Sequence, residues 1–216
     1  MAAYAADVPE GRAPRLTAKG QATRERIVAA AAQLMFERGV AGTSTDDVQA
    51  AAGISASQLY HYFADKRALV GAVIAWQADS IVGGQAPLFA HLDSVQGLRA
   101  WRDALVAIQI ERECVGGCPL GKLAGELVES DPAARVDLDA AYGRWADGIA
   151  GGLHRMHERG ELPADVDPDK LATAILAAAQ GGLVLTQVSR TTGPLEIALD
   201  TVIDHVAELV DRARAS

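Results

Sequence analysis

A short run of hydrogen-bonding side chains lies between residues 55 and 66. Tyr60, His61 and Tyr62 are consecutive and carry hydroxyl or imidazole groups, and Lys66 adds an ammonium group shortly after them. Such groups are common donors to the phosphates of nucleic acids. Packing within a core is the alternative for the rings, and for Tyr60 in particular. The run predicts a contact with a nucleic-acid backbone.

Base edges are the second target that this run predicts. Ser57 and Gln58 lie in the first turn of a helix that Ser55 begins, and the first turn of a recognition helix contacts the bases. A glutamine amide can pair with both N6 and N7 of adenine. Gln58 also lies three residues after Ser55, where a capping box places its acceptor. We therefore include all three in the predicted contact and leave capping as a second role of Gln58.

Two short helices must position this run. Ser44 and Asp47 form a capping box at the start of the first, Gly53 ends it, and Ser55 begins the second. A longer helix precedes them from Thr23, with apolar residues recurring at helical spacing. This order predicts a helix-turn-helix. A bundle of short helices without nucleic-acid binding is the alternative.

The start of the first short helix supplies further donors. The hydroxyl groups of Thr43, Ser44 and Thr45 lie where a helix N-terminus can also donate to phosphate. Asp46 lies beside them and would repel a phosphate. We expect the three hydroxyl groups to contact the backbone and Asp46 to limit the strength of that contact.

The charge of the chain is divided unevenly. The whole sequence has a formal net charge of −8, but residues 12–67 carry eight Lys and Arg against five Asp and Glu. Residues 68–216 carry twelve basic against twenty-one acidic side chains. A cationic N-terminal module on an acidic body indicates a local contact with a polyanion. Hydrophobic residues make up 50% and aromatic residues only 5%, which favours helices over strands.

Residues 42–69, GTSTDDVQAAAGISASQLYHYFADKRAL, together with FERG at 36–39, closely resemble the DNA-binding module of the TetR family of bacterial transcriptional regulators. The segment GCPLGKLAGEL at 117–127 is similar to the LmrA/YxaF-like branch. The resemblance implies a homodimer whose heads bind a palindromic operator, with a small-molecule pocket and the dimer seam in the C-terminal helices. Most members repress transcription and leave DNA when an effector binds. The family often has a basic residue where this chain has Asp46 and Ala56.

We therefore expect an all-α protein of about nine helices in two modules. Residues 1–19 are expected to form a mobile basic arm, residues 20–82 the helix-turn-helix domain, and residues 85–214 the effector-binding and dimerisation domain. A fourth helix from Asp65 towards Gly83 joins the two. Further helices are expected near 95–113, 120–129, 133–159, 169–189 and 195–213, with Asp131 and Asp167 as caps before proline.

The predicted effector pocket lies between the helices of the body. Its expected lining is mostly apolar, so the effector should be mostly apolar too. For each expected lining residue, the alternative is that it fills the core and borders no pocket. The expected lining residues are Trp101, Leu105, Cys118, Leu123, Leu127, Trp145, Ile149 and Met156.

Two apolar seams with alternating spacings of four and three residues run along the last two helices. They predict a four-helix dimer interface across a two-fold axis, and packing inside one subunit is the alternative. The seam residues are Leu171, Ile175, Ala178, Gly182, Leu185, Leu195, Leu199, Val202, Val206 and Leu209.

An enzyme that uses a nucleotide or a thiol is the rival function. Residues 116–122 match a phosphate-binding loop until Leu123 replaces the expected Ser or Thr, and no strand is expected before them. Cys114 and Cys118 are an alternative reactive pair, but buried free thiols are the better interpretation. We expect no catalysis, no cofactor and no metal site.

Double-stranded operator DNA, a small-molecule effector and a second copy of the chain are the expected partners. The N-terminus has neither a basic nor an apolar region of a signal peptide. Residues 171–189 are uncharged but rich in Ala and Gln, so a buried helix is expected rather than a membrane span. We expect a cytoplasmic protein.

Overall fold

The computed structural model describes residues 16–215, and that part of the chain contains nine helices and no strand. The all-α expectation is confirmed. The first three helices form the head, the last five form the body, and the fourth joins them. The helices are α1 (Ala18–Arg38), α2 (Thr45–Ala52), α3 (Ala56–Tyr62), α4 (Lys66–Phe89), α5 (Val95–Glu111), α6 (Pro119–Leu127), α7 (Pro132–Glu158), α8 (Pro168–Ser189) and α9 (Gly193–Arg214).

The first helix begins earlier than its apolar periodicity predicts. α1 starts at Ala18, where the hydroxyl of Thr17 accepts a hydrogen bond from the backbone N–H of Gly20. Apolar spacing marks only the buried part of a helix, and the first turn of α1 is exposed. Residues 16–19 therefore belong to the head, while the rest of the predicted arm lies outside the described residues.

The joining helix also differs from the prediction. α4 continues through Gly83 and Gly84 to Phe89 and contains Pro87, so the helix crosses the predicted boundary between residues 82 and 85. Glycine pairs favour a stop only weakly, and α4 is held along its length by α1, α6 and α7. Packing against these helices overrides the local signal.

The helix-turn-helix forms as the capping residues predict. Both capping boxes are present, and Gly53 takes the left-handed conformation between α2 and α3 with φ of 63°. Leu59 and Phe63 are buried in the head core with Val48, and the Arg24 guanidinium lies over the Phe63 ring. The burial of Leu59 and Phe63 leaves the other side of α3 in solvent.

The body is organised around α8, which packs between α7 and α9. α8 is the single helix of the described chain that is long and apolar enough to cross a membrane, yet its buried face is covered by the body. Gly182 permits the close approach of α9, because a Cβ there would lie 2.8 Å from the Cα of Leu195. At this point the two helices are too close for any side chain larger than that of glycine.

Candidate nucleic-acid interface and ligand cavity

One face of α3 and of the turn before it is open to solvent. Tyr60 is 54% exposed, whereas Tyr62 is only partly exposed and its ring packs edge-on against His61 at 4.9 Å. Leu59 fixes the orientation of the helix by filling the core below. The structure thus exposes half of the ten residues predicted to contact DNA on α3 and the turn before it: Ser55, Ser57, Gln58, Tyr60 and His61.

Gln58 has one half of its amide committed and one half available. Its Oε1 accepts a hydrogen bond from the backbone N–H of Ser55 at 3.0 Å, and the hydroxyl of Ser55 accepts from the N–H of Gln58 at 3.3 Å. The Nε2 group of Gln58 has no partner among the described residues. A single hydrogen bond to a base acceptor is therefore compatible with the cap, whereas two-point pairing with adenine requires the Oε1 contact to open.

Two residues that were predicted to contact phosphate form hydrogen bonds inside the head. Thr43 is buried and its hydroxyl donates to the carbonyl of Gly39 at 2.8 Å, so this hydroxyl is already used inside the head. The half-buried Lys66 donates from Nζ to the carbonyl of Val40 at 2.6 Å. Both side chains stabilise the turn between α1 and α2. The sequence shows only that these residues are polar and does not show what they bind.

The remaining donors of the head surround the start of α2. Ser44 is exposed, but its hydroxyl accepts the N–H of Asp47 at 3.1 Å as the cap of α2. Hydrogen bonds from Ser44 hold the pKa of the Asp47 carboxyl below its ordinary value. Thr45 is half-buried at the first position of the helix, and exposed Asp46 accepts from Gln49. The negative charge expected beside the α2 N-terminus is therefore present.

The N-terminus of α1 is a further cationic feature that the sequence-based site omitted. Its first turn has no acidic residue and contains the exposed Lys19. A Cβ on Gly20 would lie 3.6 Å from the hydroxyl of Tyr62, so this helix end adjoins α3. The signal was present in the basic arm, but periodicity placed the helix start too late.

A cavity of about 730 Å³ lies where the head meets the body. Its volume is in the range of small-molecule sites. Both modules supply its wall: Ala29, Ala32, Gln33 and Phe36 of α1 face residues from α4, α5, α7 and α8 and from the loop before α6. A molecule bound there would contact the head directly, and this was not foreseen from the sequence.

The predicted effector residues separate into three groups. Leu105, Cys118 and Trp145 line the cavity. Leu123 lines a smaller neighbouring pocket, and Met156 lines a third pocket near the end of α9. The other three residues are buried in the core and line none of these three pockets, and their assignment to the effector site stays a prediction: Trp101, Leu127 and Ile149.

Polar residues in the wall are the part of the cavity that the sequence analysis missed. Gln77 and Gln85 of α4 and Gln109 of α5 are buried at its surface. The burial of Gln85 is explained by Trp101, whose Nε1 donates a hydrogen bond to Oε1 of Gln85 at 2.7 Å. A glutamine at a buried position of an amphipathic helix was the signal available from the sequence.

Direct polar contacts join α6 to the head. The Glu126 carboxylate accepts hydrogen bonds from the backbone N–H groups of Val40 at 2.7 Å and Ala41 at 2.6 Å. The Nζ of Lys122 donates to the carbonyl of Phe36 at 2.6 Å and lies 4.7 Å from the centre of its ring. Since α6 begins at the cavity wall, these contacts connect the wall to the turn that precedes α2.

A second connection runs from the start of α4 to the start of α7. The guanidinium of Arg67 donates to both carboxylate oxygens of Asp131, at 3.2 and 3.1 Å. Asp131 also caps α7 by accepting from the N–H groups of Ala133 and Ala134. The hydrogen bond from Arg67 is the main reason that the pKa of Asp131 lies below its ordinary value.

The two cysteines are free and buried. Burial raises the pKa of the Cys118 thiol, which lowers the fraction of reactive thiolate. Tyr142 lies in the same region, donates to Gln180 at 3.4 Å, and has its pKa raised by burial. This surrounding favours an unreactive thiol in the wall of the cavity.

Two regions of the chain match known families. Residues 27–73 match the family described as "Bacterial regulatory proteins, tetR family". Residues 94–202, just over half of the chain, match "Tetracyclin repressor-like, C-terminal domain". The chain belongs to the TetR family. It is a DNA-binding transcriptional regulator with the helix-turn-helix described above.

Relatives of this TetR-family chain are similar over nearly their whole length. The HTH-type transcriptional repressor DhaR of Mycobacterium sp. (strain GP1) is 27% identical over 183 residues, which cover 84% of this chain and 90% of DhaR. The repressor NemR of Escherichia coli (strain K12) is 26% identical over 196 residues, covering 86% and 94%. A TetR regulator of Chloroflexus aurantiacus has a solved structure with a TM-score of 0.71 and 29% identity, covering 88% and 97%.

Most residues of the predicted dimer seam of this TetR-family chain are buried within the single chain. Leu185 is exposed, whereas Ala178 and Val202 are half-buried. The four-three spacing coincides with the faces by which α8 and α9 pack within one chain, so the assignment of the other seam residues to a subunit interface stays a prediction. These buried residues are Leu171, Ile175, Gly182, Leu195, Leu199, Val206 and Leu209.

The segment that resembles a phosphate-binding loop has a structural role in this TetR-family chain. α5 rather than a strand precedes it, and Gly116 is packed against the Phe36 ring so closely that a Cβ would lie 2.3 Å from it. Gly117 is packed against Gln187 in the same manner. Lys122 is already bound to the head. The loop therefore has neither the context nor the free lysine of a nucleotide site.

Proposed function

We propose that the chain is a repressor that leaves its operator when a small, mostly apolar molecule enters the cavity between the head and the body. The observation that carries this proposal is the composition of the cavity wall, to which α1 of the head contributes together with helices of the body. A ligand can shift an equilibrium only through different contacts in two states. A wall shared by two modules supplies such a difference.

DNA binding is assigned to the open face of α3 and to the helix N-termini near it. Gln58 and Ser57 read base edges, while Tyr60, His61 and Lys19 contact phosphates. Exposure of these groups and the free Nε2 of Gln58 support the assignment. Ser44 and Ser55 keep their caps, and Thr45 supplies a backbone donor. Lys66 acts by positioning the turn at Val40.

A second copy of the chain is assigned to the exposed apolar face of α8 and α9. Val184, Leu185 and Val188 of α8 and Ile197 of α9 are exposed in the single chain. Exposed apolar residues on consecutive helices are typical of a subunit interface, and TetR-family regulators form dimers. A two-fold axis through this face presents two heads to a palindromic operator, whose half-sites are roughly 34–36 Å apart.

Release of DNA follows from the contacts of α4 and α6 with the head. A ligand that displaces the start of α6 also displaces Glu126 and Lys122, which hold Val40, Ala41 and Phe36. The heads then lose the spacing that both half-sites require. The chain acts where DNA is, in the cytoplasm, without catalysis or cofactor.

The test begins with DNA selected by the protein from a random duplex library. We expect enrichment of a palindrome and a shift of its affinity by cavity ligands, measured by fluorescence anisotropy. DNA should weaken ligand binding by the same factor, typically about 5–150-fold. Selection of no common sequence would contradict the regulator, and equal ligand affinity with and without DNA would contradict the release.

A further inference from the structure

The polar side chains buried in this protein are concentrated at the cavity. Five polar residues are buried in the described part of the chain, and three of them are the cavity glutamines. Gln77 is 8% exposed, Gln85 is 9% exposed and Gln109 is 3% exposed. A cavity between helices that served only as packing space would be lined by apolar residues.

The amides of these glutamines are largely without partners. Gln77 and Gln109 make no side-chain hydrogen bond to the described residues, and Gln85 uses only its Oε1 atom, towards Trp101. The buried Nε1 of Trp145, also in the wall, has no partner either. Oε1 of Gln109 is the one amide atom of the three glutamines that is wholly buried without a hydrogen bond, and such an atom destabilises the fold. The wall therefore offers donors and acceptors that a bound molecule can satisfy.

The charge of the cavity wall selects against ionised ligands. Arg112 is the one charged residue among the described residues that line the cavity, and it is exposed at the end of α5. No carboxylate is available in this wall for an amine. An ion pair with exposed Arg112 is screened by water, so a ligand carboxylate gains little. Neutral hydrogen-bonding groups fit both the amides and the apolar remainder of the wall.

We infer that the cavity takes a neutral, mostly apolar molecule that carries hydroxyl groups, of the phenol class. A hydroxyl group donates to a glutamine Oε1 and accepts from a glutamine Nε2, which a carbonyl alone does not. Gln77 and Gln85 are separated by about 12 Å along α4, at 1.5 Å per residue, so rings with hydroxyl groups at both ends also fit. The inference rests on the proposed function for the choice of cavity and adds the chemistry of its ligand.

The experiment compares four probes of one shape on the full chain. These are para-phenylphenol, para-phenylanisole, para-phenylbenzoate and para-phenylbenzylamine, and binding is followed by tryptophan fluorescence, because Trp76 and Trp145 line the cavity. We expect the phenol to bind about tenfold more tightly than its methyl ether, the difference made by one satisfied buried hydrogen bond. The benzoate and the amine should bind more weakly than the phenol.

Variants assign this preference to the glutamines. Gln77→Leu and Gln109→Leu should each reduce the preference for phenol over ether, and the double variant should abolish it while the ether still binds. Gln96→Leu is the matched control, since Gln96 is an exposed glutamine of α5 away from the cavity. Circular dichroism checks that each variant is folded.

Three results would overturn the inference. They are a benzoate or amine that binds more tightly than the phenol, equal binding of phenol and ether to the unmodified chain, and no binding of any probe at millimolar concentration. These measurements contain no DNA. A phenol that binds with the expected preference but leaves DNA affinity unchanged therefore supports the ligand chemistry and contradicts only the proposed release.

Discussion

The Glu126 carboxylate on α6 lies 2.7 Å from the backbone nitrogen of Val40, in the turn that leads from α1 to α2. This hydrogen bond joins a side chain of the body to the backbone of the head. The same carboxylate also accepts a hydrogen bond from the backbone N–H of Ala41. A side chain that holds two consecutive N–H groups fixes the turn in position as well as in orientation.

Glu126→Gln should uncouple the cavity from DNA. The amide keeps one acceptor and presents an NH₂ group to the second backbone N–H, so one hydrogen bond is lost. We expect unchanged ligand affinity in the free protein and a coupling between ligand and DNA reduced by several fold. Anisotropy titrations measure both. Glu129→Gln, at an exposed position just beyond α6, is the control, and full coupling in Glu126→Gln would contradict the prediction.

Two substitutions of Gln58 should separate its role in base recognition from its role in capping. Gln58→Ala loses the cap and the base contact, whereas Gln58→Glu keeps an acceptor for the Ser55 N–H but loses the free Nε2 donor. Both should blur sequence preference at one base pair, at a cost of about 1–3 kcal/mol, and only the alanine variant should lower thermal stability. Equal weakening on every DNA sequence would argue against base recognition.

Lys66 and Lys19 should respond differently to salt. Lys66→Met removes the partner of the Val40 carbonyl, so we expect lower thermal stability and weaker DNA binding with an unchanged salt slope. Lys19→Ala should instead reduce the slope of log affinity against log salt by about one. Anisotropy at several salt concentrations decides. If Lys66→Met also reduced the salt slope, Lys66 would have to be a phosphate contact.

Substitutions on α8 should distinguish the subunit interface from internal packing. Leu185→Glu places a charge on a residue that is 57% exposed in the single chain, so the helices should persist while the dimer dissociates. Gly182→Leu should destabilise each subunit, because the added side chain collides with Leu195. Sedimentation and circular dichroism measure the two effects. Val136→Glu, at another exposed apolar position, is the control, and a Leu185→Glu dimer would exclude this face.

The Arg67–Asp131 contact should weaken in acid. The pKa of Asp131 in the folded chain lies below the ordinary value of 3.8, so its contribution to stability is present above that value and is lost as pH falls through the folded pKa. Asp131→Asn keeps a cap for α7 but removes the charge. We expect the wild type to melt above the variant at neutral pH and the two curves to converge below pH 3.8. A constant difference at all pH values would assign the effect to capping.

Local signals predicted most of the fold. Asp131 and Asp167 before proline placed the starts of α7 and α8 within a residue, and the capping boxes of Ser44 and Ser55 placed α2 and α3. Each of these signals is an interaction within one helical turn. The extension of α4 past Gly83 depends instead on contacts with other helices, which neighbouring residues in the sequence do not encode.

The site was predicted less completely, for a physical reason. Apolar periodicity identifies which residues are buried but not what covers them. Leu171 and Leu195 have the spacing of a dimer seam because α8 and α9 pack on each other by the same rules that join two subunits. Likewise, Trp101 and Trp145 are both buried, yet only Trp145 borders the cavity. The positions of gaps between helices depend on the whole assembly of helices.

Pro87 interrupts the backbone hydrogen bonding of α4 near its C-terminal end. It has no amide hydrogen, so the carbonyl of Gly83 lacks the donor that continues an α-helix. Gln77 lies before this interruption and Gln85 after it, and both belong to the cavity wall. A molecule bound to both side chains holds the two parts of α4 together and restricts bending between them. On the proposed function, we expect ligand binding to change the conformational entropy of the helix that reaches the DNA-binding head, so that DNA affinity responds to how far α4 bends as well as to its mean position.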